Sequence, residues 1–489
     1  MGNSGVMRFD LPFQAEPPPL TSTGVTALVE RRATSHGIDV TVLDAADDRL
    51  LRCGIVLAHR VQDQVGAWYL AAPGWQPYLP AECSVPVDAS GELPAQFVSW
   101  LRPFLRRAPL GPVAALDCER RDYLMRSGNT PVGTIRDEQV RLRRGGEVVA
   151  RYREVTVTPS QDLSAEQRDG VARAMMQVEG RLVEEFPTLQ QRLGPPATGG
   201  TDFPEPVRGN RREMTLEAFV RWLFATDLRA LVVASLSAPE SLGELFDDIR
   251  GHVRGLASVL DPAWLQKLEQ LLLECPRRGG IYCGRPGDPL AALSSSNAPP
   301  VRSSSFALPG SHHDDPRDDP TSPRTLLGPA DSRVLDVIEL LVGAVRAPRL
   351  GDASGEPAAR LLLRRAERGA RILGERCGGL SQDSPDQAWE AARAAAEQLS
   401  ASGAVAVQLH GKAGRRVMKQ LTGITRALGR CADVATVDSL EGLDVMAAFE
   451  LGRQVERRRQ CAAAERADFV AQWPDRVSTV TRLLAKARR

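Results

Sequence analysis

"LGPPATGGTDFPEPVRGN", residues 193–210, divides the chain into two parts of different periodicity. Proline removes backbone donors and glycine loosens the chain, so this stretch continues neither a helix nor a strand and reads as a linker. On its N-terminal side the pattern is that of strands. "GIDVTVLD", "CGIVLAHRV", "GAWYLAAP" and "CSVPVD" are short β-branched and aromatic runs. "DYLMRSGNTPVGTI" and "VRLRRGGEVVARYREVTV" read as hairpins turning at Ser127–Asn129 and Gly145–Gly146. On its C-terminal side the apolar spacing becomes helical in "TLEAFVRWLFATDLRALVVASL", "LGELFDDIRGHVRGLASVL", "PAWLQKLEQLLLE" and "DQAWEAARAAAEQLSAS". The resulting division is α+β: residues 1–192 strand-rich, 193–210 a linker, and 211–489 helical. Residues 294–329, dominated by Ser, Pro, Asp and Gly, read as a disordered insertion, because so few apolar side chains cannot offset the entropy of ordering them. The "SHHDDPRDD" inside it holds ligand-type side chains, but a solvated loop is the preferred reading.

Bulk properties narrow the function less than the distribution of charge does. Across 489 residues the net charge is +1, with 43% hydrophobic and 25% charged residues, so any electrostatic function must come from local asymmetry. The N-terminus shows no export signal, no apolar run is long enough to span a bilayer, and the eight cysteines show no CxxC spacing. These features point to reduced thiols, a cytoplasmic location and no membrane partner.

The asymmetry is concentrated in "HGKAGRRVMKQLTGITRALGR", residues 410–430, which carries six Lys or Arg and no acid. At 3.6 residues per turn, Lys412, Arg416, Lys419, Arg426 and Arg430 share one stripe, while Val417, Leu421, Ile424 and Leu428 occupy the opposite side. Ordinary exposed helices intersperse signs, because like pairs at i, i+4 repel. Lys412–Arg416, Arg415–Lys419 and Arg426–Arg430 are such like pairs, so the face is expected to be neutralised by a polyanion. His410 lies on the apolar side and reads as a buried or helix-start histidine.

These residues carry a resemblance. "LHGKAGRRVMKQLTG", with His410, Lys412, Arg415, Arg416 and Lys419, resembles a repeat of the CHAD family, helical bundles that bind inorganic polyphosphate. "LFDDIRGHVRGLASVLDPAWLQKL" resembles the other repeat through Arg250 and Arg254, with Asp247 at the histidine position and Gly255 and Ala257 where arginines are expected. The N-terminal half resembles the CYTH family, whose closed antiparallel barrel is a triphosphate tunnel using Mg²⁺ or Mn²⁺. The segments that carry this likeness are "VTVLDAADDRLLRCGIVLAHR", "AWYLAAP", "YREVTVTP" and "SGVMRFDLP". The metal carboxylates of that family correspond here to Ser4 and Val6, and a phosphate lysine corresponds to Ala71. Arg8, Arg60, Arg120 and Arg121 remain as tunnel cations, with Glu154 and Asp137 as candidate metal ligands.

The resemblance therefore implies an antiparallel β-barrel followed by an α-helical bundle, with polyphosphate bound by Lys412, Arg415, Arg416, Lys419, Arg426, Arg430, Arg250 and Arg254. The barrel is expected to be non-catalytic and to need no certain cofactor. The alternatives are a triphosphatase dependent on Mg or Mn and a non-catalytic interaction scaffold. The basic helix carries no aromatic side chains for stacking on bases, so nucleic acid is expected only as a general polyanion.

Overall fold

The computed structural model describes residues 5–205, 210–237, 241–275, 329–351, 353–432 and 445–487. The chain divides into two compact units, one up to Pro204 and one from Glu205 onwards. The first contains, in order, β1 (Met7–Leu11), β2 (Ala27–Glu30), β3 (His36–Asp44), α1 (Arg49–Arg52), β4 (Val56–Gln62), β5 (Val65–Ala71) and β6 (Glu82–Pro86). There follow α2 (Ala95–Leu105), β7 (Gly111–Ser127), β8 (Thr130–Arg144), β9 (Glu147–Pro159), α3 (Ala165–Gln177), β10 (Arg181–Val183) and α4 (Leu189–Leu193). The β7–β8 and β8–β9 hairpins turn where the glycines stand: Gly128, Gly145 and Gly146 all have positive φ, which costs glycine nothing.

The expectation of a closed barrel is corrected. The strands form one antiparallel sheet in the order β10-β1-β9-β8-β7-β3-β4-β5-β6, with β2 attached to β7 beside β3. Among the described residues β6 pairs only with β5 and β10 only with β1, so the two ends never meet. The strand lengths give a physical reason. β7, β8 and β9 run for 17, 15 and 13 residues, whereas β6 has 5 and β10 has 3. Closure needs end strands long enough to share one tilt and stagger with the rest. Pro86 also removes a donor from β6, a usual way to blunt an edge.

One face of the sheet is covered by α3, whose Val171, Ala174 and Met175 pack on Phe9, Met125, Ile135, Val155 and Val157. Elsewhere in the unit, Trp75, Phe104 and Phe203 form a cluster of edge-on rings. The Pro/Gly-rich stretch is therefore anchored in the first unit at least as far as Phe203. Its Asp202 is buried and pairs with Arg106 at 2.8 Å and Arg52 at 3.4 Å.

The second unit is helical among its described residues: α5 (Leu216–Ser237), α6 (Leu242–Leu256), α7 (Pro262–Leu273), α8 (Pro329–Arg346), α9 (Ala358–Gly378), α10 (Asp386–Ala432) and α11 (Val445–Ala487). The stretch read as an insertion lies outside the described residues up to Gly328, and Pro329 opens α8. α10 breaks at Gly411, whose φ of 52° and ψ of −122° are not helical. Beyond that break Val417, Leu421, Ile424 and Leu428 are all buried, as their spacing requires, against Trp389, Leu399, Phe469 and Trp473. Gly255 marks the close approach of α6 to α10, since a Cβ there would collide with the Ala401 carbonyl and Val405. An arginine at 255 is excluded by packing.

Candidate functional site

Side chains alternate along a strand, and residues opposite one another on neighbouring strands share a face. Registers therefore decide which sheet residues can act together. Asp10, Glu154, Glu138 and Arg120 stand opposite one another on β1, β9, β8 and β7, forming one transverse row. Arg8 lies on the same face, opposite Thr156, and the alternation of the β3–β4 and β3–β7 ladders puts Arg60 there too. Arg121 and Asp137 stand opposite each other on the other face. The tunnel candidates are thus divided between two sides of a sheet, and no single ligand can touch them all.

The row is also compensated. Asp10 pairs with Arg181 at 3.1 Å, Glu154 with Arg192 of α4 at 2.5 Å, and Glu138 with Arg120 at 2.6 Å. Burial pushes the Glu154 carboxyl above its ordinary range; Arg192 pulls it back, and Glu138 and Asp10 add to the rise. Arg192 lies over the Tyr152 ring at 3.5 Å, and Arg60 over Tyr69 at 3.1 Å. Arg121 is engaged by Glu119 at 2.5 Å, and Asp137 by Arg153 at 2.6 Å. Arg8 donates to the Glu184 carbonyl at 3.2 Å. Asp10, Glu138, Arg181 and Arg192 escaped the sequence reading because only the strand register brings them to Glu154.

Two corrections follow. Among the described residues, no group of three or more His, Cys, Asp or Glu side chains is placed to hold a metal ion, and Ser4 lies outside them. With an open sheet, and with Glu154 and Asp137 each paired to an arginine, the described residues offer no site for the metal-dependent triphosphatase expected as an alternative. The expectation of a polyphosphate binder that joins a basic helical face to a closed triphosphate-tunnel barrel is corrected as well, because among the described residues the sheet does not close.

The cations of the helical unit stand differently. Lys412, Arg415, Arg416, Lys419 and Arg426 are exposed, and among the described residues none has an acidic side chain within ion-pair distance. Arg430 is the exception, bound to Glu465 of α11 at 2.9 Å. Arg250 is buried; it donates to the Leu272 and Cys275 carbonyls and pairs with Asp247, so it holds α6 to the end of α7. Arg254 is exposed on α6, four residues from that clamp.

Beside the α10 break lies a cleft of about 600 Å³, lined by Arg212, Arg360, Arg364, Glu367, His410 and Ala487 among others. Arg360 and Arg364 are one turn apart on α9, and Arg212 comes from the turn before α5. Among the described residues Arg364 pairs with Glu356, at 4.0 Å. Arg212 and Arg360 have no acid within ion-pair distance among the described residues. His410 is buried, and its Nε2 is 3.4 Å from the Ala359 carbonyl. Burial pushes its pKa below the ordinary value, the Ala359 contact opposes this, and Arg212 reinforces it. The sequence reading named none of these arginines; their i, i+4 spacing in "AARLLLRRAERGARILGE" was the available signal.

No family model matches the chain, and none of the curated proteins matches it. Among the described residues, no helix is long and apolar enough to cross a membrane. Solved structures show a distant likeness over part of the chain. An adenylate cyclase homologue of Bacillus halodurans is 13% identical, covering 38% of this chain and 94% of that one, at a TM-score of 0.23. An adenylyl cyclase homologue of Hippeastrum, described as having a dominant triphosphatase activity, is 13% identical over 37% of this chain and 91% of that one, at 0.23. A protein of Pyrococcus horikoshii OT3 is 12% identical over 37% and 91%, at 0.22. At these identities and scores the likeness carries no argument about what this chain does.

Proposed function

We propose that the helical unit binds a small polyvalent oxyanion in the cleft beside the α10 break, and that it does so without chemistry. The observation that carries this reading is the convergence of Arg212, Arg360 and Arg364 on one cavity of about 600 Å³ whose lining includes a single acid, Glu367. Planar guanidiniums suit bidentate contact with oxyanions, and among the described residues Arg212 and Arg360 have no carboxylate at ion-pair distance while Arg364 reaches Glu356 at 4.0 Å. Neutral His410 offers a further polar contact at the cavity wall. The exposed row of Lys412, Arg415, Arg416, Lys419 and Arg426 begins immediately after His410, and its field draws anions toward the cleft. The resemblance of "LHGKAGRRVMKQLTG" to a CHAD repeat is part of this proposal, because it supports an anion role for the same end of α10.

Calorimetric titration with citrate, inorganic phosphate and tripolyphosphate tests the reading. Arg360→Ala and Arg364→Ala should each weaken citrate binding by about tenfold, the size of one lost charge-assisted contact, with helical circular dichroism unchanged. Absence of binding by all three anions overturns the proposal. So does binding that survives Arg212→Ala/Arg360→Ala/Arg364→Ala but is lost in Lys412→Ala/Arg416→Ala/Lys419→Ala, which would place the anion on the α10 stripe instead.

A further inference from the structure

The first unit contains a second, unrelated cavity, on the face of the sheet that α3 covers. It measures about 160 Å³ and is lined at one side by Leu20, Leu28, Ile135, Val155 and Met175. An apolar cavity of about 150 Å³ is known to hold a benzene-sized guest. The other side of the cavity is not apolar. Glu119 and Arg121 project from β7, Asp137 and Gln139 from β8, and Arg153 from β9. In register, Arg121 stands opposite Asp137, while Glu119 stands opposite Gln139, which stands opposite Arg153. The four charges alternate as on a checkerboard and sum to zero.

Their bonding is uneven. Arg153 is buried and fully used: it grips both carboxylate oxygens of Asp137, at 2.8 and 2.6 Å, and donates to the Ala15 carbonyl at 2.6 Å. Glu119 and Arg121 pair along their own strand at 2.5 Å, with side chains 51% and 54% exposed. Asp137 and Arg153 therefore form a fixed wall, whereas Glu119 and Arg121 are an adjustable pair at the mouth. Water already solvates much of that pair, so exchanging it for a ligand costs little desolvation.

We infer that this cavity binds a small zwitterion of the α-amino acid type, with an apolar or aromatic side chain. The side chain fills the space between Leu20, Leu28, Ile135, Val155 and Met175. The carboxylate meets Arg121, and the ammonium meets Glu119 beside the Asp137 wall. A ligand with one charge would take one member of the Glu119–Arg121 pair and leave the other without its partner. This site involves neither the open sheet face nor the helical cleft.

The test is calorimetric titration of the full chain with L-phenylalanine and L-leucine, and with the single-charge analogues 3-phenylpropionate and phenethylamine. Both amino acids should bind, and each analogue should bind at least about tenfold more weakly than L-phenylalanine, the size of one lost charge-assisted contact. Arg121→Ala, at an exposed position, should weaken L-phenylalanine by about tenfold without weakening phenethylamine, since it frees Glu119 for the ammonium. Leu28→Trp should abolish binding by filling the cavity from a partly buried position. No heat with either amino acid overturns the inference. Equal binding of L-phenylalanine and both analogues, or L-phenylalanine binding untouched by both substitutions, overturns it too.

Discussion

The arginines along the central strands of the sheet unit and the cations around the α10 break of the helical unit stand in opposite circumstances. In the sheet, Arg120, Arg121, Arg153, Arg181 and Arg192 each hold a carboxylate, mostly across strands. In the helical unit, Lys412, Arg415, Arg416, Lys419, Arg426, Arg212 and Arg360 have none among the described residues. Charge counted along a sequence therefore misstates where an anion can bind. A cation held by a carboxylate must break that pair before it can serve a ligand, whereas an unpaired cation meets the ligand at the cost of its own hydration alone. The same contrast separates cations that hold the fold from cations that do not.

Substitutions test that contrast directly. The largest effect is expected at Asp202, whose carboxylate is fully buried between Arg106 and Arg52. Asp202→Ala removes the carboxylate that buried Arg106 holds at 2.8 Å, while Arg52 keeps Asp47 at 3.0 Å, and should cost the sheet unit about 3 kcal/mol. Urea denaturation followed by tryptophan fluorescence, with Trp75 beside Phe203 as the reporter, measures it. A loss under about 1 kcal/mol would show that the buried pair is not a structural cation site, since surface pairs typically contribute that little.

A middle-sized effect belongs to the helical unit's own paired cation. His252 Nδ1 lies 2.9 and 3.1 Å from the two oxygens of buried Asp227, joining α6 to α5. Burial alone would depress the imidazole, but the hydrogen bond and charge of Asp227, with Asp248 adding, hold it above its ordinary 6.5. A raised folded-state pKa stabilises fully below the unfolded value and loses that contribution as pH rises through the folded one. The helical unit should therefore become less stable as pH rises from about 6.5 upward. His252→Gln should flatten that slope, read as urea midpoints from helical circular dichroism at several pH values. An equal slope in wild type and variant would refute the assignment.

The smallest effect is expected on the exposed stripe. Arg426→Ala and Lys419→Ala remove unpaired, solvated charges from a helix that packs by its opposite face, so each should change stability by less than about 0.5 kcal/mol. Relief of like-charge repulsion makes any change a gain. A loss above about 1 kcal/mol in the same urea assay would mean that these cations hold the fold after all.

Much of the secondary structure is legible in the residues alone. Strand alternation and the glycines at 128, 145 and 146 placed the long hairpins, and the apolar spacing of Val417, Leu421, Ile424 and Leu428 identified the buried face of α10. Local preference and periodicity are properties of neighbouring residues, so they are legible in one dimension. Tertiary structure alone decided whether the sheet closes, because that depends on whether β6 and β10, ninety-five residues apart from Pro86 to Arg181, find each other. It also decided that Arg121 and Asp137 face away from Arg8 and Glu154, and that Arg212 joins Arg360 and Arg364 beside His410. A site's electrostatics depend on which charges lie within a few ångströms of one another, and that is set by strand register and helix packing between segments far apart in the chain.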